Sequence, residues 1–219
     1  MRPHEQTLRA GLDDLRLQLD ESQIAGLLDY LDLIRKWTKV YNLTAVRDPA
    51  EMLTHHLLDS LAAVPPLQRH LQAMGLEGGA SLLDVGSGAG LPGVVIAICC
   101  PGVQVSCVDT VAKKAAFIKQ AALALRLGNL TGIHARVESL AGPYDVICSR
   151  AFASLPDFVQ WSVGALASGG AWMAMKGKDP VTEVEALPPS VEVFHVEQLQ
   201  VPGLDAERCI LWLRKKQSV

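Results

Sequence analysis

The sequence lacks most of the features that would assign it quickly. No run of 18 apolar residues occurs in its 219 positions, so no transmembrane helix is expected. The opening residues, Met1-Arg2-Pro3-His4-Glu5-Gln6, hold no apolar signal segment. Five cysteines, Cys99, Cys100, Cys107, Cys148 and Cys209, form no C-x-x-C pair and make an odd count. That excludes a zinc-site spacing and a disulfide framework, and most of them lie in apolar runs where cysteine acts as a small hydrophobe. Cations are not in excess: 20 Lys and Arg stand against 23 Asp and Glu, for a net charge of −3. A protein that coats nucleic acid without selectivity is therefore excluded. Repeats and low-complexity segments are missing as well. What remains is the expectation of a cytoplasmic globular protein, whose 49% hydrophobic content suffices for a substantial core.

What is present is organised around Leu82-Leu83-Asp84-Val85-Gly86-Ser87-Gly88-Ala89-Gly90-Leu91-Pro92-Gly93. A short apolar run, three alternate glycines and the segment Val94-Val95-Ile96-Ala97-Ile98 predict a buried strand, a tight turn and a helix. Such a turn lets a ligand touch backbone, and the helix start offers it N–H groups and a positive dipole end. The dinucleotide fingerprint G-x-G-x-x-G would need glycine at position 91, which is Leu91. The pattern D-x-G-x-G-x-G, with Asp84 two residues before Gly86, instead resembles the first motif of the S-adenosylmethionine-dependent methyltransferases. Their cofactor carries a sulfonium and an amino group but no phosphate, so a carboxylate is tolerated where a pyrophosphate would be repelled.

Before the turn, residues 1–64 read as helical. Leu8, Leu12, Leu15 and Leu19 mark one stripe; Asp20 with Gln23 forms a capping box for a helix carrying Ile24, Leu27, Leu28, Leu31 and Ile34, its face extended by Trp37 and Val40. Asp48-Pro49 starts a further helix that Pro65-Pro66 is expected to end. After the turn come strands at 103–109, 130–135, 144–149 and 171–176, with helices at 111–127 and 156–167. Segments 191–199 and 208–213 are strands too close in sequence for a helical crossover, hence an antiparallel pair. The expected fold is α/β and Rossmann-like, a seven-stranded mostly parallel sheet with an antiparallel C-terminal hairpin. Residues 1–66 form an N-terminal helical cap packed on a core of residues 67–219, expected as one structural unit.

Ligands of such sheets bind beyond the carboxyl ends of the strands. Asp109 ends the second strand, on the order of twenty residues after the turn, where an acid accepts hydrogen bonds from a ribose diol. Val137-Glu138 follows the third strand and is either an ordinary loop or a backbone contact for an adenine edge. Arg150 leaves the fourth strand, either bracing a carboxylate or meeting cofactor or a substrate phosphate. His55-His56 is rejected as a metal site, because adjacent helical residues diverge and no acid or cysteine completes it. Cys148, inside an apolar strand, reads as core and not as a nucleophile.

Four segments then occur in order: Tyr41-Asn42-Leu43-Thr44-Ala45-Val46-Arg47-Asp48-Pro49, His56-Leu57-Leu58-Asp59-Ser60, the glycine turn through Gly93, and Ser149-Arg150-Ala151-Phe152-Ala153. Their combination resembles the bacterial 16S ribosomal RNA small-subunit methyltransferase G family, also called glucose-inhibited division protein B, over about residues 20 to 180. The resemblance implies a class I S-adenosylmethionine-dependent enzyme acting on N7 of one guanine in a 16S rRNA loop near the decoding site. It places cofactor contacts on Gly86, Leu91, Val137, Glu138 and Arg150, beside Ser87, Gly88 and Asp109 from the residue reading. Guanine N7 carries a free lone pair, so positioning and not a general base supplies most of the catalysis. Arg150 and Lys176 are the positioning candidates. For RNA, Arg35, Lys36 and Lys39 on one helix face, and Lys113 with Lys114, read first as solvated faces. Lys176 and Lys178, with Arg47, lie where the fold places a substrate. The small ribosomal subunit is the expected partner, with no metal, no membrane and no stable protein partner implied. Methylation of another substrate on the same fold, or ribosome assembly with incidental catalysis, are the alternatives.

Overall fold

The structure, a computed structural model, describes residues 2–177 and 180–216. Helix α1 (Glu5–Asp14) buries Leu8 and Leu12, while Leu15 and Leu19 pack on the core from beyond its end. Helix α2 (Glu21–Tyr41) opens with the expected capping box: Asp20 accepts from the Gln23 N–H at 2.8 Å, and the Gln23 side chain accepts from the Asp20 N–H at 3.0 Å. It buries Ile24, Leu27, Leu28, Leu31 and Ile34 as the periodicity predicts. Val40 does not extend that face and is 70% exposed.

Asp48 caps α3 (Pro49–Met52), accepting from Ala50 and Glu51 N–H groups. The chain continues through a wider π-helical stretch, Leu53–Leu58, into α4 (Asp59–Leu61). The helix turns at Ala62 and Ala63, and Pro65-Pro66 does not stop it. Both prolines lie in the first turn of a new helix, α5 (Val64–Ala73), where their missing N–H groups cost nothing. Leu67 and Leu71 of α5 are buried.

The sheet follows in the order β3-β2-β1-β4-β5-β7-β6. Strand β1 (Ser81–Val85) pairs in parallel with β2 (Gln104–Asp109) and with β4 (Tyr144–Arg150), and β3 (Leu130–His134) lies parallel outside β2. Between them run α6 (Gly93–Cys99), α7 (Ala112–Ala124) and a single 3-10 turn, Val137–Ser139. After β4 come α8 (Leu155–Ser162), β5 (Leu166–Lys176), α9 (Val181–Glu185), β6 (Val191–Leu199) and β7 (Arg208–Lys215). Helix α8 ends earlier, and β5 begins earlier, than the sequence suggests: Tyr144 pairs with Leu166 before the β4–β5 register shifts, drawing that segment into the sheet. Helix α9 was not expected. Strand β7 inserts antiparallel between β5 and β6, so the hairpin closes the sheet as predicted.

Two apolar layers flank the sheet. One joins α1, α2, α5, α6 and α7 to residues such as Leu82, Val105, Cys107, Cys148 and Met173. The other sets α8 against Leu83, Val108, Ile147, Trp172 and Leu211. The N-terminal helices thus share a continuous core with one face of the sheet. Among the described residues no helix is long and apolar enough to cross a membrane.

Candidate functional site

The glycine turn sits over the carboxyl end of β1. Gly86 and Ser87 donate their N–H groups to the Val108 carbonyl at 2.9 and 3.2 Å, tying the turn to β2. Gly86, Gly88 and Gly90 have φ of +65°, +59° and +87°, a region costly for residues with a side chain. A Cβ on Gly86 would lie 2.1 Å from Cδ2 of Phe152, whereas nothing lies within 4 Å of one on Gly88. Backbone is therefore bare and open at Gly88, while Phe152 covers Gly86.

Asp84, one pleat below, is fully buried and accepts the Gly93 N–H at 2.8 Å, pinning the first turn of α6. Burial pushes its carboxyl up to about 7. Tyr30, reaching from α2, donates its hydroxyl to the Ala89 carbonyl at 2.6 Å and also lies 3.1 Å from the Gly90 carbonyl. Helix α2 thereby fixes the far side of the turn.

Two hollows open on either side. One, of about 450 Å³, is lined by Gly86, Asp109, Lys114, Val137, Glu138 and Phe152, among others. Asp109 accepts the Gly88 N–H at 3.0 Å and the Val111 N–H at 2.8 Å, which orients its carboxylate toward the turn. Glu138 is held by Arg136 at 2.6 Å. Phe152 meets Trp161 edge-on at 5.9 Å, closing this hollow with an aromatic wall. The other, of about 470 Å³, contains Ser87, Leu91, Arg150, Lys176, Thr44 and Asp59 in its lining. Gly86 and Ala151 line both hollows, so one cleft runs across the bare turn. These volumes suit a small molecule of nucleoside size in each half.

The second hollow has a charged floor that sequence reasoning missed. Asp59, from the cap, is buried between two arginines: its Oδ2 lies 2.7 Å from Nη1 of Arg150 and its Oδ1 lies 2.9 Å from Nε of Arg208. Arg150 also donates to the His55 carbonyl at 2.8 Å. Of the two roles open to Arg150, bracing a carboxylate is the one the geometry displays. His56 Nε2 faces Oγ1 of Thr44 at 2.9 Å, and burial, with Arg150 nearby, lowers its imidazole to about 4. His55 lies in the π-helical stretch and Asp59 directly follows it, and both meet Arg150 of β4. Local periodicity carries no signal for these partners, although Asp59 lies in a quoted segment.

The predicted cations are placed differently. Lys176 is 17% exposed, pairs with Glu183 at 2.8 Å and donates to the Ala153 carbonyl at 2.9 Å. Arg47 caps the end of α2 through the Thr38 carbonyl at 3.2 Å and the Asn42 side chain at 2.6 Å. Lys178 lies outside the described residues. Cys148 is buried in β4, in register with Asp84 of β1, with its thiol pushed well up by burial. Among the described residues, no group of three His, Cys, Asp or Glu side chains is arranged to hold a metal.

Comparison with known proteins gives a consistent picture. A family described as rRNA small subunit methyltransferase G matches residues 23–211. The ribosomal RNA small subunit methyltransferase G of Polaromonas sp. (strain JS666) is 75% identical, the alignment covering all of this chain and 96% of that one. That of Verminephrobacter eiseniae is 60% identical over 94% of this chain and 92% of its own. Among solved structures, magnesium protoporphyrin IX methyltransferase from Synechocystis, with bound S-adenosylhomocysteine, aligns with a TM-score of 0.57 at 14% identity, over 87% of this chain and all of that one. TrmN from Thermus thermophilus aligns with a TM-score of 0.55 at 20% identity, over 75% and 53%. At such identity these two speak for the fold, a Rossmann-like class I methyltransferase.

Proposed function

The chain belongs to the rRNA small subunit methyltransferase G family, and from that premise we propose that it transfers a methyl group from S-adenosylmethionine to N7 of a specific guanine in 16S rRNA. The family match over residues 23–211 carries this reading. The acceptor is a loop near the decoding site, presented by the small ribosomal subunit in the cytoplasm.

The residues present suit the cofactor. Open space over Gly88, an oriented acid at Asp109 and the Val137–Glu138 turn match an adenosine, with Phe152 and Trp161 as its apolar wall. Ser87, Gly88 and Leu91 lead into the second hollow, where Arg150, braced by Asp59, lines the space for the amino-acid end. When bound, S-adenosylmethionine supplies an electrophilic methyl on a sulfonium centre. The chain's own work is then to hold two reactants in line and exclude water. Because N7 of guanine has no proton to lose, no residue is needed as a base. Asp59, with its two arginines, fixes the floor against which the acceptor base is positioned, and Arg150 acts as the positioning residue. Residues 1–66 serve as a cap and 67–219 as the catalytic core of a single unit, since both halves contribute to the cleft.

The test is direct. Purified protein is incubated with labelled cofactor and small subunits from cells lacking this activity, and the rRNA is digested and mapped by mass. One 7-methylguanosine at a single position is expected; label at another atom or base, or in protein, would refute the assignment.

A further inference from the structure

The cations that the sequence favours for RNA are already engaged. Lys176 is neutralised by Glu183, and the Arg47 guanidinium is partly spent on closing α2. Unspent positive charge gathers elsewhere. Residues 33–47, the last nine residues of α2 and the loop after it, contain four cations and no acid. Residues 110–137, which include all of α7, also contain no acid. In a chain of net charge −3 this is a strong segregation. The acids of α2 all precede residue 33, and in its middle Asp29 and Asp32 are paired with Arg2, and Asp32 also with Arg35.

The two acid-free segments are neighbours. Trp37 of α2 packs edge-on against Phe117 of α7 at 5.4 Å, and Tyr41 lies tilted over Trp37 at 5.0 Å while remaining 43% exposed. On the same two helices Lys36, Lys39 and Lys113 are exposed and form no ion pair among the described residues. The surface borders the cleft on both sides: Lys114 lines one hollow, and Leu43, Thr44 and Val46, directly after Tyr41, line the other.

We propose that the joined ends of α2 and α7 are the RNA-docking surface, with Lys36, Lys39 and Lys113 on phosphates and the Tyr41–Trp37 pair as a stacking platform for an unpaired base. This deepens the rRNA methyltransferase reading and rests on it for the identity of the RNA. Charge complementarity selects a polyanion, and the exposed Tyr41 ring, backed by the half-buried Trp37, selects a single-stranded segment with splayed bases over a duplex. A strand held there has its next nucleotides at the lip of the cleft.

The experiment measures binding of full-length protein to unmethylated small subunits across a salt series, for the parent, Lys36→Gln/Lys39→Gln and Tyr41→Ala. Cofactor uptake by calorimetry serves as the folding control. The lysine pair should weaken binding about tenfold and flatten the slope of log affinity against log salt by about 1 to 2. Tyr41→Ala should cost roughly five- to fiftyfold with the slope unchanged. Parent-like binding by both variants overturns the proposal, as does sensitivity seen only toward anionic lipid vesicles. Methyl transfer by the parent is scored separately. Transfer with insensitive variants sinks this surface and leaves the function standing; no transfer, with binding that depends on these residues, sinks the function and leaves the surface. A parent that binds no rRNA overturns both.

Discussion

Tyr30 donates its hydroxyl to the carbonyl of Ala89 at 2.6 Å, so a helix outside the nucleotide-binding fold holds the bend on which that fold depends. Both groups are buried, and the Gly90 carbonyl lies close enough to share the same donor. Replacing Tyr30 with Phe keeps the ring and removes the hydroxyl from the Ala89 carbonyl, while the Gly90 carbonyl keeps the Val94 N–H at 2.7 Å. A loss of about 1–3 kcal/mol is expected in urea denaturation. A weaker response to added S-adenosylmethionine should accompany it, because the loosened segment is the one proposed above to contact cofactor.

Asp59 balances Arg150 and Arg208 from a nearly inaccessible position. Asp59→Ala leaves two poorly solvated guanidinium groups facing each other and should cost about 3 kcal/mol or more. Asp59→Asn retains acceptor capacity for one of them and should lie between. Chemical denaturation gives the stabilities. Single-turnover methyl transfer on the Asn variant shows whether the floor also positions the acceptor, as a fall in the rate at saturating cofactor.

Stability against pH should carry two opposed contributions. Folded Asp84 keeps its proton up to about pH 7, against an ordinary value of 3.8, because burial disfavours the anion. Its contribution is therefore present at low pH and lost as pH rises toward 7. Folded His56 stays neutral down to about 4, against 6.5, again chiefly through burial. Its contribution is lost as pH falls from 6.5 toward 4. Relative to the parent, Asp84→Asn should gain most at pH 7 and His56→Gln most near pH 4. Urea midpoints across that window check this; differences that do not change with pH would contradict it.

Alanine at two glycines of the same turn should behave differently. Gly86→Ala combines a left-handed backbone with a clash against the Phe152 ring, and should destabilise by well over the roughly 1–2 kcal/mol of the backbone effect alone. Gly88→Ala pays only the latter, since its Cβ meets open space, but fills the hollow meant for cofactor. Thermal melts should separate the two variants, and calorimetry should show cofactor binding impaired in both.

The sheet, its closing hairpin and the two capped helix starts were legible because each rests on local signals: apolar runs, Asp20 with Gln23, Asp48 before Pro49. The start of α5 was misread because Pro65-Pro66 suits a first turn as well as a stop, and only the packing of Leu67 and Leu71 decides. Val40 was misread because α2 outruns the core it covers. At the site, the glycine turn and Asp109 could be found by spacing. Asp59 with Arg208 could not, since they lie 149 residues apart and meet only through the tertiary fold. Nor could the pairing of Lys176 with Glu183, which depends on a short helix without its own periodicity.

Strand β7 reaches its place between β5 and β6 after every other strand has been synthesised, and it delivers Arg208 to the cleft floor. Without β7, Asp59 would face Arg150 alone and keep only one of its two ion pairs. The cleft floor is thus complete only when the strand last in sequence is in place. The last strand to join the chain therefore completes a charge balance that the first helices begin.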